Sequence, residues 1–258
     1  MSNVFFLGSP LLLVFIFGFL CSQCSDDADK FEQLAKLRAL GVSVDQVMVT
    51  PSPESDPKVI QLTLHAVVPK GEQITIALFE DQDDFFSPRI EGMEIDQDSV
   101  SYREYETLRY YTVNASFAVP FAKTLEPLMR AGAINLRYGF ELTATDETEK
   151  VVGKIPIISS TSDDARKVWK SPEVRIVGLS TKDKLGKNSD IDVDIESTVE
   201  NDEEFKIGWF TSSGSFKNRR AASTQWSTSD DDKQLLIATV RTKRSRAFAI
   251  DLQEFNFE

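Results

Sequence analysis

Residues 59–68 read V-I-Q-L-T-L-H-A-V-V, placing Ile60, Leu62, Leu64, Ala66 and Val68 at every second position with Gln61, Thr63 and His65 between them. Side chains of an extended chain leave opposite faces in turn, so a period of two marks a strand with one buried face. Residues 190–196, D-I-D-V-D-I-E, repeat the rhythm: Ile191, Val193 and Ile195 are expected to point inward, with Asp190, Asp192, Asp194 and Glu196 on the other face. Phe205, Ile207 and Trp209 alternate in the same way. The pattern and its turn residues predict strands over 42–49, 59–68, 72–80, 108–119, 134–145 and 151–158. A second group is predicted over 174–179, 191–199, 204–211, 235–242 and 247–257. One short internal helix is expected at 124–131, ended by Gly132. Many short strands with so little helix between them predict an all-β sandwich or barrel.

The strands fall into two groups on either side of the polar run Ser159-Ser-Thr-Ser-Asp-Asp164. At 258 residues the chain is long enough for two modules, each able to bury its own core. The expected division is a leader over 1–24, a tether or short helix over 25–41, a first β-sandwich over 42–158, a linker over 159–171 and a second sandwich over 172–258. The segment 25–41 admits a helix because Phe31, Leu34, Leu37 and Leu40 recur at three-residue spacing before Gly41.

The leader carries an uninterrupted apolar stretch from Leu11 to Leu20. As a helix it would reach only ~15 Å, which suits the core of an export signal and falls short of the ~30 Å interior of a bilayer. Both cysteines of the chain, Cys21 and Cys24, follow at once. A redox pair needs a strand-to-helix setting and a zinc site needs two more ligands, while the single histidine, His65, lies in a predicted strand. The position resembles the lipobox of bacterial lipoproteins, in which a cysteine after the secretory core takes a diacylglyceryl group. The usual Leu, two small residues, then Cys is not reproduced: Cys24 follows Cys21-Ser22-Gln23, and Cys21 follows Gly18-Phe19-Leu20 with bulky Leu20 beside the cut. Cys24 is the expected lipidation site and Cys21 the alternative. A plain signal cut after Cys24, or an uncleaved anchor, is the competing reading.

Trp209, the turn W-F-T-S-S-G-S-F, Trp226 and the late hairpin L-L-I-A-T-V-R-T-K-R-S-R-A-F-A-I together resemble the Ig-like or PKD-like β-sandwich modules found in tandem in bacterial envelope lipoproteins. The stretch L-A-K-L-R-A-L-G-V-S-V-D-Q-V-M-V-T-P-S-P is similar to the entry of a first such module. The resemblance implies an all-β fold of two tandem Ig-like β-sandwich domains, extracytoplasmic display, binding or scaffolding of a protein or envelope component, and no shared catalytic site or cofactor. It further implies lipid anchorage with the modules facing the periplasm or the cell surface. The alternative is a soluble periplasmic or secreted carbohydrate-binding module, or a carbohydrate-active enzyme.

The net charge of -12 speaks against a nucleic-acid partner, because phosphate backbones require a basic face. Arg241, Lys243, Arg244 and Arg246 nevertheless form a local basic cluster, either paired internally with the Asp190 row or offered to phosphate-rich headgroups or glycans. Lys217, Arg219 and Arg220 are the other basic group available to that row. Asp81, Asp83 and Asp84 supply hard oxygen donors suited to calcium, but Phe85 and Phe86 break EF-hand spacing and a solvated acidic loop is the expected state. The four tyrosines Tyr102, Tyr105, Tyr110 and Tyr111 are either a sugar-stacking surface or half-buried strand residues. A lone histidine outside any motif argues against a Ser-His-Asp enzyme.

Overall fold

The structure is a computed structural model that describes residues 34–51, 53–56, 58–79, 92–130, 135–159 and 161–258. Cys21, Cys24 and the Asp81, Asp83 and Asp84 loop lie outside the described residues.

The first module begins with β1 (Arg38–Val44), β2 (Val59–Pro69), β3 (Thr75–Leu78), β4 (Glu94–Ile95), β5 (Ser101–Glu104) and β6 (Leu108–Ala118). It ends with the helix α1 (Ala122–Arg130), β7 (Asn135–Ala144) and β8 (Glu147–Pro156). One sheet runs β1-β2-β6-β4 with β5 also against β6, and the other runs β3-β7-β8. All of these pairings are antiparallel. After β1 the chain crosses to the second sheet, where Val49 bridges Ile157 in parallel. At the edge of β1 the backbone N–H groups of Leu37 and Ala39 donate to the carboxylates of Glu147 (2.8 Å) and Glu149 (2.6 Å). Two edge donors are satisfied there by side chains of the facing sheet.

The second module comprises β9 (Glu173–Val177), β10 (Lys184–Leu185), β11 (Asp190–Thr198), β12 (Phe205–Thr211), β13 (Ser215–Phe216), β14 (Ser223–Ser227), β15 (Lys233–Thr242) and β16 (Phe248–Phe257). Its sheets run β13-β14-β11-β9 and β10-β16-β15-β12. The short β10 lies parallel to β16.

The all-β architecture in two groups of strands is the one the alternation predicts. Strand β1 is a difference: it starts at Arg38, inside the stretch read as a tether or helix, and Leu34, Leu37 and Leu40 are buried. Their spacing of three mimics a helix because the segment is buried on both sides: Leu37 enters the core of the first module, and Leu34 and Leu40 enter the cluster between the modules. The two-residue strands β4, β10 and β13 are too short to show a period in the sequence.

Each module has its own core. In the first, Ile60, Leu62 and Leu64 of β2 and Val113, Ala115 and Phe117 of β6 face Leu136, Tyr138, Phe140 and Leu142 of β7. In the second, Trp209, Phe216, Trp226, Phe255 and Phe257 pack ring against ring with centroids 5.5 to 6.4 Å apart. Both indoles are fully buried and both donate, Trp209 to the carbonyl of Ala221 (2.9 Å) and Trp226 to that of Ser213 (3.4 Å). Burying a tryptophan is tolerated here because its one polar atom finds an acceptor.

A third apolar cluster joins the modules. Leu34, Leu40, Val67, Tyr105 and Leu108 of the first meet Leu235, Ile237 and Phe248 of the second, with Tyr110, Phe210, Ile250 and Leu252 at the margin. It explains where the alternation fails. In β2 the pattern holds to Leu64, after which His65, Ala66, Val67 and Val68 are all buried, and in β15 every residue from Gln234 to Val240 is buried. Both faces of these strands are covered, one by the module's own core and one by the other module.

The contact is close at Gly41, where an added Cβ would lie 2.5 Å from the Phe248 ring. Gly41→Ala is therefore expected to lower stability by about 1 to 2 kcal/mol in urea unfolding, as overpacking does. Phe248→Leu in the same chain should recover part of the loss, and an unchanged midpoint for Gly41→Ala would count against this packing.

Candidate functional site

The junction between the modules gathers most of the chemistry-bearing side chains. His65 sits in it, with Nε2 2.7 Å from the Ser43 hydroxyl and Nδ1 2.6 Å from the Tyr110 hydroxyl. Its ring stacks on Tyr110 and lies 5.7 Å from that of Phe248. Burial pushes His65 down to about 4 and raises the Tyr110 phenol, so both are neutral at physiological pH. A neutral imidazole has one donor and one acceptor nitrogen, and hydroxyls can answer either. The histidine thus has both ring nitrogens engaged beneath an aromatic lid from the second module.

The basic cluster separates into two halves. Lys243 pairs with Glu204, and Arg244 pairs with Asp164 of the linker while its guanidinium lies 5.6 Å from the Trp169 ring. The backbone N–H groups of Arg244 and Ser245 both donate to Glu203. The hydrogen bond from Lys167, together with the nearby Arg244 charge, holds Asp164 below the usual carboxylate range, and the hydrogen bond from Lys243 does the same for Glu204. These contacts fasten the stretch 159–171 to the second module, helped by Asn201 donating to the Val168 carbonyl. At its other end the Ser171 hydroxyl donates to the Val44 carbonyl of the first module (2.7 Å). Arg241 and Arg246 instead line a cavity of about 260 Å³ on the first module's side of the junction, with Val42, Tyr138, Val151, Gly153 and Lys154.

The carboxylate row of β11 is flanked by strands that the alternation does not reveal. Its register neighbours are β9 and β14, so Arg175 lies across from Glu196, Gln225 from Asp192, and Ser227 from Asp190, to which the Ser227 hydroxyl donates (2.6 Å). Alternation placed the row on one face but could not say which strands flank it.

Among the four tyrosines, Tyr105 and Tyr111 are buried and Tyr110 is committed to His65. Tyr102 is 55% exposed, with the Arg109 guanidinium 4.9 Å over its ring. One ring, already covered on a face by a cation, is what remains for stacking on a sugar. Among the described residues there is no group of three or more His, Cys, Asp or Glu side chains placed to hold a metal ion. No described helix is long and apolar enough to cross a membrane.

The strand orders define the class of protein. In the first module β1, β2, β6 and β4 take the places of strands A, B, E and D, and β3, β7 and β8 those of C, F and G. In the second, β9, β11, β14 and β13 form the A-B-E-D sheet, and β12, β15 and β16 the C-F-G sheet. Apart from the extra strands β5 and β10, this is the strand order of an immunoglobulin-like sandwich twice over, and Trp209 on the second module's C strand occupies the usual position of the buried core tryptophan.

No protein-family model matches the chain, and no curated protein matches it. Among solved structures it is similar to the fibronectin(III)-like modules of Clostridium thermocellum CbhA, at 11% identity over 84% of this chain and 94% of that one, with a TM-score of 0.32. It is also similar to the tandem Ig repeats of Dlar (7% identity, 87% and 98% coverage, TM-score 0.26). A third is the D00-D0 domain of Intimin (14% identity, 83% and 98% coverage, TM-score 0.24). The assignment of the fold rests on the strand order, not on these scores.

Proposed function

We propose that the protein is a non-catalytic, exported lipoprotein of a bacterial envelope. An N-terminal lipid at Cys24, or at Cys21, holds its two sandwich modules at the membrane, facing the periplasm or the cell surface, for binding or scaffolding a protein or envelope component. The observation that carries the display role is the apolar cluster between the modules, which makes them one stiff unit rather than two beads on a string. A stiff pair loses little conformational entropy on meeting a partner. The non-catalytic reading is supported by His65, whose ring nitrogens are both engaged under Phe248 and whose neutral form burial favours. The lipid anchor is supported by the apolar stretch from Leu11 to Leu20 directly ahead of the two cysteines. Acyl chains at ~0.8 kcal/mol per buried CH₂ would hold such a protein at the membrane effectively permanently.

Intact-mass analysis of the protein recovered from cells, with detergent fractionation, tests the anchor. The expected result is a mature chain beginning at a diacylglyceryl cysteine that partitions into detergent. An unmodified N-terminal Ser25 would replace the lipoprotein with a free periplasmic or secreted binding module, and an intact leader in the cytosol would remove export altogether.

A further inference from the structure

We infer that the open edge of β5, with the groove beside it at the module junction, is a docking site for an extended segment of a partner protein, which joins the first module's sheet as one more strand. β5 is paired on one side only, to β6, and its residues Ser101–Glu104 are all exposed. The hairpin closes with the Tyr105 N–H donating to the Leu108 carbonyl (2.8 Å), so these two residues form a hydrogen-bonded pair. Bonded and non-bonded pairs alternate along an antiparallel ladder. Arg103 opposite Tyr110, and Ser101 opposite Thr112, therefore direct their backbone groups to β6, whereas the N–H and C=O of Tyr102 and Glu104 point away from the sheet. Those groups find no hydrogen-bond partner among the described residues. Three other edge strands have such groups answered. On β1, Leu37 and Ala39 donate to Glu147 and Glu149. On β9 the Ile176 N–H donates to Asp251 (2.7 Å) and its carbonyl accepts from Gln253 (3.1 Å), and on β12 the Trp209 N–H donates to the Arg219 carbonyl (3.0 Å). An edge left open is a template for another strand.

The groove defines the segment that fits. It has a volume of about 380 Å³, and its walls include Arg103, Tyr105 and Tyr110 of the first module and Ile250 and Leu252 of the second. Leu108, across the ladder from Tyr105, enters the cluster between the modules, so Tyr105 and Arg103 stand on the sheet face turned toward the second module. A strand laid along β5 would present every second side chain to that same face. Ile250 and Leu252 are half-buried at the margin of the cluster, so an aliphatic or aromatic side chain entering there extends an apolar contact that already exists. The guanidinium of Arg103, 5.2 Å from the Tyr105 ring, disfavours pairing of this edge with its own kind. In a second copy set antiparallel about residue 103, guanidinium would face guanidinium, and like charges directly opposite are destabilising. The occupant is thus a foreign strand with apolar residues at alternate positions, held by main-chain hydrogen bonds to Tyr102 and Glu104 and by a side chain in the groove.

The inference rests on the protein-binding role proposed above but not on the lipid anchor, whose test is separate. The probe is a linear octapeptide selected against the full chain from a random phage-displayed library and then synthesised. It is expected to carry apolar residues at alternate positions. N-methylation of its backbone at every second residue should abolish binding, while methyl groups on the intervening amides are tolerated. Tyr102→Pro removes one outward N–H without touching the β6 ladder and should weaken binding about tenfold. Tyr102→Ala keeps that N–H and should bind within about twofold of the unmodified chain. Leu252→Arg, which obstructs the groove from the second module, should also weaken binding about tenfold. In the unmodified chain the Tyr102 and Glu104 amides should exchange more slowly with peptide bound, a readout that needs no substitution. Equal losses in Tyr102→Ala and Tyr102→Pro would make the ring the contact and overturn strand addition. A selected peptide indifferent to both Tyr102→Pro and Leu252→Arg would keep a binding role elsewhere on the protein and overturn this site, as would a library that yields no binder. A dimer in sedimentation that Tyr102→Pro dissociates would replace the foreign strand with a second copy of the chain.

Discussion

Ile237→Asp will uncouple the two modules. The Ile237 side chain is fully buried, yet it belongs to the cluster between the modules and not to the core of its own sandwich, where Leu236 and Ala238 point. An aspartate there would be an unpaired charge in an apolar contact, which costs on the order of 4 kcal/mol if the modules stay docked. Undocking restores its water and leaves the second core intact. The expected result is a larger radius of gyration in small-angle scattering and two separate unfolding transitions in place of one. The near-ultraviolet signature of Trp209 and Trp226 should persist, since neither ring lies at the junction. Val59→Asp, at a 51% exposed position, should change neither observable. Unaltered scattering and a single transition in Ile237→Asp would mean that the cluster does not hold the modules together.

The fold was legible in the sequence wherever a strand buries one face. Residues 59–64 and 190–196 alternate because water covers one side, and the all-β class follows from that. The junction was harder to read, although its signal was present. Strand β15 carries L-L-I-A-T-V over residues 235–240 without alternation, and β2 ends H-A-V-V over residues 65–68. Uninterrupted apolar runs in a protein of alternating strands mark burial on both faces. Such runs give no hint of what does the covering, because the partner surface is assembled from strands more than 100 residues away. The cavity was half legible. Arg241 and Arg246 stood out as part of a basic cluster, but their separation from Lys243 and Arg244 depends on how the hairpin turns. Lys154 and Tyr138 carried no mark until β7 and β8 were brought against that hairpin. Sequence spacing can propose a charge cluster, but only the packing of the modules decides how it divides.

The pH dependence of stability should carry the imprint of one residue. His65 is held near 4, against about 6.5 for the unfolded chain, because its ring is buried among Ser43, Tyr110 and Phe248. The folded protein therefore prefers the neutral imidazole. Above pH 6.5 neither state is protonated and His65 contributes no slope. As the pH falls below 6.5 the unfolded chain binds a proton that the folded chain refuses, and stability declines by about 1.4 kcal/mol per pH unit. The loss should reach about 2 kcal/mol at pH 5 and about 3 kcal/mol near pH 4, where the folded state at last takes the proton. Asp164 and Glu204, both held below their usual range by basic partners, add losses only at lower pH, as the unfolded carboxylates protonate. Glu149, whose carboxyl is raised by burial, works in the opposite sense, because the folded protein takes up its proton before the unfolded chain does, so the His65 contribution is the difference between the unmodified protein and a variant lacking the ring. In His65→Gln, whose amide can still meet both hydroxyls, stability from urea unfolding between pH 6.5 and 5 should lose the fall shown by the unmodified protein, about 2 kcal/mol at pH 5. Parallel curves for the two proteins would mean that the ring at the junction accepts a proton without opening it.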